Sequence, residues 1–500
     1  ASVNADDVAF IQFSSGSTSE PKGVVLTHGN LMANLEGARQ SAGFCEQDIS
    51  LSWMPLTHDM GLIGFHLMMM YAGVRQYLMP TDLFVRRALL WMKFASDKRV
   101  TLTCSPNFGY RHFLRALGDK TLDGVDLSSI RIVFNGAEPI SVDLAEEFLD
   151  RMAPYGLRRS AMFPVYGLAE ASLGAIFPEL GSTYSYITVD RRSLGVGSIA
   201  RFVAPGDPSA LKLMCEGRPI PYTSCKLVDD TGAAVGPDQV GHLLIRGENV
   251  TRGYFDNPEA NAAAFDVDGW LRTGDLALMH NGQYYITGRS KEIIFVNGQN
   301  YYPYDIESVI QHEPGLAHGK VIAAGVPGAD SPSDELVLFV LHRGSMADFV
   351  PLATRAMHLV NEHAGVEVAR VVPVNRIPKT TSGKLQRSAL AAAYANGEFA
   401  AQVAEFDAAW AAAHGHGRDA AGRIEQQIKA IVDDALAGKH VDVDDNLFDV
   451  GASSLSLIQI HEKIDDLYPG QVDLTELFDF PTVAQLARHL EKKLGGGGSG

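Results

Sequence analysis

Cysteine is scarce in this 500-residue chain: there are four, Cys45, Cys104, Cys215 and Cys225, with no CxxC pair. That argues against a disulfide scaffold and a thiolate zinc site, and suits a reducing, cytoplasmic compartment. A basic surplus is missing too. The net charge is −17, so no excess cations remain to neutralise the phosphates of a nucleic acid. Long apolar runs are also absent. The richest, GLIGFHLMMMYAG, is too short to span a bilayer and carries His66, so it is expected to be a buried segment. No secretory signal is visible at the start. The closing GGGGSG reads as a flexible linker or tag, residues 495–500.

What is present is enough apolar content, 46%, for several cores and so for two or three domains. Short β-rich runs (VAFIQF, SLSWMP, TLTCSP, IRIVFNG, HLLIRG) alternate with helical stretches (NLMANLEGARQSA, SVDLAEEFLDRMAPYG), which indicates an α/β multidomain architecture. Residues 1–287 form the first subdomain, with strands and turns denser from HLLIRG to YYITGR. A compact α+β segment covers 288–394. Residues 395–420, Ala-rich and ending near HGHGRD, read as a helix and then a linker, with a coil of about 22 residues as the tether. From 421 to 494, AGRIEQQIKAIVDDAL, SSLSLIQIHEKIDDLY and TVAQLARHLEKKL carry apolar residues at helical spacing and predict a small helical bundle.

The stretch FSSGSTSEPKGV, Phe13 to Val24, has no apolar period. Its glycines, hydroxyls and amides can converge on one anion, with Lys22 adding charge; it is either a phosphate cradle or a plain Ser/Gly linker. Farther on come THDMG (57–61), NGAEP (135–139), YGLAE (166–170), RTGD (272–275), GRSKE (288–292) and KTTSGK (379–384). In this order and spacing the sequence resembles the adenylate-forming superfamily of acyl-CoA ligases, luciferases, nonribosomal adenylation domains and fatty acyl-AMP ligases, over roughly residues 7–387.

The resemblance implies a carboxylate attacking the α-phosphate of ATP to give acyl-AMP and pyrophosphate, chemistry that rests on positioning and charge stabilisation. By the same resemblance Ser14, Ser15, Gly16, Ser17, Thr18 and Lys22 hold the β/γ-phosphates, with Ser19 standing where the family usually has glycine. Tyr166 and Gly167 offer one wall to adenine, and Asn135, Gly136, Ala137 and Glu138 the other, with Ala169 and Ile286 beside them. Glu170 is the expected Mg²⁺ ligand, since a hard cation among phosphates prefers carboxylate oxygen. Asp275 is expected to accept from the ribose hydroxyls, helped by Arg289. Lys384 resembles the catalytic lysine of the C-terminal lid and Lys291 its hinge, while His58 is expected beside the acyl phosphate. The stretch that precedes the phosphate loop in the family is absent here, so the first subdomain is expected to be truncated at its start.

Within the superfamily, WMPLTHDMGLIGFHL, SPNFGY and GQNYYPYDIE resemble the fatty acyl-AMP ligases, and residues 62–72 are expected to line an acyl pocket. Between Glu170 and Gly217 lies irregular sequence, where that family carries an insertion that restrains lid motion and hinders use of CoA. NLFDVGASSLSLIQI resembles the carrier-protein signature, which makes Ser454 the attachment point of 4′-phosphopantetheine. Together these imply a fatty acid as substrate, the chain's own or a partner's carrier domain as acceptor, and a downstream polyketide or nonribosomal module as partner. An acyl-CoA ligase, an amino-acid adenylation domain, and a non-catalytic carrier scaffold are the competing expectations.

Overall fold

The structure is a computed structural model that describes residues 2–14, 22–296, 299–311, 313, 315–316, 319–327, 334–379, 385–414, 418–436, 441–447, 450, 452, 454–468, 471–473 and 476–495. Packing divides the chain into two units, Ala1–Gly344 with Pro351–Ala400, and Ser345–Val350 with Ala401–Gly500.

The first unit is built on a five-stranded parallel sheet in the order Arg75–Leu78, Ile49–Ser52, Leu102–Ser105, Ile132–Asn135, Met162–Pro164. All of Leu102–Ser105 and Ile132–Asn135 is buried, as continuous apolar strands covered on both faces must be. Helices Asn107–Leu117 and Val142–Met152 bury Phe113, Leu117, Phe148 and Leu149 in the same core. Helix His28–Ala42 starts at an N-capping Thr27, whose hydroxyl accepts from Asn30 N, and stops at Gly43 with φ of 58°.

The apolar run anticipated as a buried segment is buried at Ile63, Phe65, Met68 and Met69 but exposes Met70 and Tyr71, and its winding is not that of an ordinary helix. Met60–Leu67 is a π-helix that tightens into an α-turn at Met68–Tyr71. Such wide turns are rare and cluster at functional sites. A four-stranded antiparallel sheet follows, Thr223–Val228, Gly241–Gly247, Leu271–His280 and Gln283–Arg289. Then comes an α+β part: hairpin Ile294–Val296/Gln299–Tyr301, helix Pro303–Ile310, and the sheet Val321–Pro327, Asp334–Leu341, Arg370–Val374.

In the second unit, helices Arg418–Ala435, Ser454–Leu467 and Val483–Gly495, joined by a short turn of helix at Glu476–Asp479, close over Ile428, Val432, Leu457, Ile460, Leu477 and Leu486. The expected coil tether needs correction: Ala400–His414 is a single helix and helix resumes at Arg418. Its alanines explain this, being the strongest helix formers. No helix among the described residues is long and apolar enough to cross a membrane.

Candidate functional site

The phosphate-loop motif joins the strands of a hairpin, Val8–Phe13 and Gly23–Thr27. Its ends are stitched by Ser14 N–H donating to Lys22 O at 2.8 Å and Lys22 N–H to Ser14 Oγ at 2.9 Å. Ser15, Gly16, Ser17 and Thr18 lie outside the described residues. A bridge between Val24 and Tyr254 brings Tyr254 alongside, with the Lys22 ammonium 4.9 Å from its ring centroid. Tyr254 Oη donates to Glu170 Oε1 at 2.9 Å, so one tyrosine touches both the loop lysine and the candidate metal ligand.

On a neighbouring wall, Tyr166 Oη donates to Asp275 Oδ2 at 2.6 Å, and Arg289 Nε lies 3.3 Å from Asp275 Oδ1. Burial, and then the Asp275 carboxylate, push the Tyr166 phenol well above its ordinary value, so it stays a donor. Asp275 raises Arg289 in turn. A carboxylate has about four lone-pair sites, so Asp275 can still accept from a cis-diol. A bulge after Leu276 sets this corner, pairing Asp275 with Arg289 across the sheet.

Gly136 must be glycine: a Cβ would meet Val165 O at 2.8 Å. Ala137 follows in the left-handed region at φ of 70°, a strained conformation for a residue with a Cβ. Glu138 Oε1 accepts from Phe108 N, in the first turn of helix Asn107–Leu117, at 2.7 Å. Asn135 sits differently from its neighbours. It is fully buried, does not line the cleft, and both its side-chain polar atoms lack a partner.

His58 Nδ1 lies 2.7 Å from Asp59 Oδ1. Met60 N–H also donates to that nitrogen at 3.2 Å.

These groups line one cleft of about 1550 Å³, together with Ser14, Gly167, Ala169, Ile286 and Lys291. The same cleft has apolar walls from Ala38, Phe44, Phe65, Met68, Phe134 and Phe177, the third and fourth of them from the wide-wound segment and the turn after it. Its volume exceeds the roughly 300–1,000 Å³ of an ordinary small-ligand pocket and leaves room for a nucleotide plus an alkyl chain. A Mg²⁺ ion shared with phosphates asks for one or two protein carboxylates, which Glu170 supplies.

Lys379 and Gln386 also line the cleft, and Lys379 bridges to Leu385. The flanks of the Lys384 segment therefore stand at the cleft, while Lys384 itself lies outside the described residues. Arg387 anchors those flanks, its fork on Glu307 at 3.0 and 2.8 Å and on Glu292 at 3.4 Å.

The irregular sequence after Glu170 includes a hairpin, Tyr186–Asp190 with Ala210–Met214. Arg191 leaves it to pair with buried Asp305 at 2.7 Å, in helix Pro303–Ile310, and Tyr302 Oη donates to Leu194 O at 2.8 Å. Burial pushes the Asp305 carboxyl up to about 6, with Arg191 offsetting part of it. A folded value above the unfolded 3.8 means this carboxyl favours folding most below about pH 3.8, a contribution lost as pH climbs through about 6. Replacing Arg191 by Met leaves that carboxyl unpaired and should cost about 3–5 kcal/mol in urea unfolding. The double change Arg191→Met with Asp305→Leu should recover most of it; a double variant as unstable as the single would show that the pair is not the cause.

In the second unit Ser454 is the first residue of helix Ser454–Leu467. A helix start suits a phosphodiester, whose charge the orphan amides and helix dipole favour, so the site fits phosphopantetheine.

Comparison with known proteins agrees with this arrangement. The family described as AMP-binding enzyme matches residues 1–255. The chain belongs to that family. A second family, the phosphopantetheine attachment site, matches residues 426–490. Among curated relatives of this AMP-binding enzyme, a long-chain-fatty-acid–AMP ligase of Mycobacterium tuberculosis is 34% identical over 418 residues, 78% of this chain and 70% of the relative. A medium-chain-fatty-acid–[acyl-carrier-protein] ligase of Moorena producens is 33% identical over 404 residues, 77% and 68% of the two chains. The chain thus spans about two thirds of these relatives' length. The solved A-PCP structure of McyG, complexed with phenylalanyl-adenylate, superposes with a TM-score of 0.75 at 28% identity, covering 98% of this chain and 74% of that one. The adenylate-forming α/β fold with a C-terminal carrier domain is therefore established for this AMP-binding enzyme, and with it the use of ATP and of 4′-phosphopantetheine.

Two residues that line the cleft, Asp59 and Tyr254, escaped the sequence reading. Asp59 adjoins His58 in THDMG, and an imidazole beside an acid was a usable signal. Tyr254 in TRGYF carried none, because only the pairing of Val24 with Tyr254 brings it to Lys22 and Glu170.

Proposed function

We propose that this chain activates a fatty-acid carboxylate and loads it on its own carrier domain. A carboxylate oxygen attacks the α-phosphorus of ATP; the bond to the β-phosphate oxygen breaks, and pyrophosphate leaves with the electron pair. Ser14, Lys22 and the neighbouring hydroxyls bind the departing phosphates. Asp275 and Arg289 hold the ribose, Tyr166 and the Gly136–Glu138 backbone enclose the base, and His58 stands beside the reacting groups. Lys384 neutralises charge gathering between carboxylate and phosphate. Glu170 would hold Mg²⁺, which when bound offsets phosphate charge. When attached to Ser454, phosphopantetheine supplies a thiol that takes the acyl group as a thioester and releases AMP.

The observation that carries the reading is a single cleft with Lys22, Glu170 and Asp275 among its polar residues and Phe65, Met68, Phe134 and Phe177 among its apolar ones. The relatives named for fatty acids support the substrate class. The Arg191–Asp305 pair supports a carrier thiol over free CoA as acceptor, since it holds the lid helix to the hairpin. Four free cysteines suit a cytoplasmic setting, and a carrier domain suits a downstream polyketide or nonribosomal synthase.

Pyrophosphate release and hydroxylamine capture should respond to fatty acids and not to amino acids; the opposite preference would overturn the assignment. Within the fatty acids, Ala38→Trp should shift the optimum to shorter chains and cut activity on the longest accepted acid by about tenfold or more, because overpacked cores resist added volume. An unchanged chain-length profile would remove these walls from the acyl pocket.

A further inference from the structure

Tyr254 takes no part in the chemistry above, yet the fold fixes it from several sides. Val25 N–H donates to Gly253 O at 3.1 Å and Phe255 N–H to Gly23 O at 2.7 Å, so residues 253–255 run as a short extra strand beside Gly23–Thr27. Asn261, in helix Pro258–Ala264, clamps the tyrosine's own backbone. Tyr254 N–H donates to Asn261 Oδ1 at 2.6 Å, and Asn261 Nδ2 donates to Tyr254 O at 3.0 Å. Gly253, at φ of 146°, leaves no room for a side chain, because a Cβ would meet Asn261 Oδ1 at 2.6 Å. The ring packs against two hydrophobic clusters, that of Leu26 and Leu35 and that of Leu243 and Ile245.

So fixed, the side chain meets two groups of opposite charge. Its hydroxyl donates to Glu170 Oε1 at 2.9 Å, and its ring lies 4.9 Å from the Lys22 ammonium. Glu170 is tied to the same segment through its backbone, where its O accepts from Thr251 N–H at 2.7 Å. Among the described residues the Glu170 carboxylate has no other hydrogen bond, and no ion pair joins it to Lys22, although both line the cleft. A direct pair would cancel the two charges that a cation and a phosphate need separately. A carboxylate held at one oxygen keeps lone pairs on the other for a metal ion, and such supporting contacts fix a ligand's direction. Tyrosine alone offers both a hydroxyl edge for the acid and an aromatic face for the ammonium.

We propose that Tyr254 is a positioning residue that holds Glu170 and Lys22 apart, turning the first to a divalent cation and the second to phosphate. This rests on the reading of the cleft as the ATP site.

The test is calorimetry of ATP binding to the full chain in excess Mg²⁺ and in EDTA; the ratio of the two affinities isolates what the metal adds. Tyr254→Phe keeps the ring and loses the hydroxyl. Its ratio should fall by about tenfold or more, the usual loss when a ligand's hydrogen-bonding partner is removed, with the metal-free affinity within about threefold of the parent. Tyr254→Leu loses the aromatic face as well, so its metal-free affinity should also drop, by about threefold or more. Glu170→Gln should remove most of the ratio, and adding Tyr254→Phe should lower it no further, because the hydroxyl acts through that carboxylate. Additive losses in the double variant overturn the proposal. So does a Tyr254→Phe protein that keeps the wild-type ratio, or one that weakens both affinities by the same factor, as a merely structural residue would. A wild type that binds ATP equally in both buffers overturns it too and leaves the nucleotide reading standing. The expected ratios, with no pyrophosphate released from any fatty acid, would instead retire the acyl-AMP reading and leave Tyr254 in place. A chain that binds no ATP in either buffer ends both.

Discussion

Ser454→Ala is expected to abolish acyl loading of the chain while leaving pyrophosphate release unchanged. A thioester on the carrier needs the prosthetic thiol, and the thiol needs a hydroxyl to carry it; alanine removes the attachment atom outright. The substitution should be tolerated structurally. Ser454 opens helix Ser454–Leu467, whose stability rests on Leu457, Ile460 and Ile464 in the bundle core, and a lost helix-terminal serine costs about 1 kcal/mol. Intact mass after treatment with a phosphopantetheinyl transferase, then with ATP, Mg²⁺ and a fatty acid, reads both steps. Mass gain on the alanine variant would move the attachment point, with Ser453 as the adjacent candidate.

Lys384→Ala is expected to slow adenylation by about 10²–10³-fold, the usual loss for one preorganised donor aimed at developing charge. The structure sharpens this comparison because a second lysine, Lys379, lines the cleft five residues earlier and bridges to Leu385. Lys379→Ala should change the rate by less than about tenfold, since a lysine at the foot of the segment supports binding and not the transition state. Burst measurements of pyrophosphate release on both variants decide between them. A large loss at Lys379 with a small one at Lys384 would exchange their roles. The fork of Arg387 on Glu307 and Glu292 fixes the chain just beyond Gln386, a cleft residue, and explains why so buried a charge is present.

Much of the layout was readable from residue order. TLTCSP and IRIVFNG announced strands because buried parallel strands are unbroken apolar runs, and they became Leu102–Ser105 and Ile132–Asn135, while VAFIQF became Val8–Phe13 in an antiparallel hairpin. Local polar motifs such as YGLAE and RTGD were readable as candidates by their glycines and carboxylates, and both contribute residues to the one cleft. What could not be read depends on pairs distant in sequence. Arg191 meets Asp305, and Tyr254 meets Glu170, only after the chain has folded. Asn135 belongs to NGAEP, yet it is the buried last residue of strand Ile132–Asn135 and does not line the cleft, which takes Gly136 and Ala137 just beyond the strand instead. The Ala-rich stretch 395–420 reads as a helix and then a linker, with about 22 residues of coil as the tether; the helix, Ala400–His414, takes up most of it.

The π-wound segment Met60–Leu67 also bears on how such a pocket can diversify. An α-helix gains or loses length only by rotating everything beyond the change by about 100°. A segment already holding a surplus residue can surrender it and tighten to ordinary helical pitch, its flanks staying where they were. Single-codon deletions between Met60 and Leu67 are thus a short evolutionary path to a reshaped apolar wall of the cleft, one that leaves its polar residues in place.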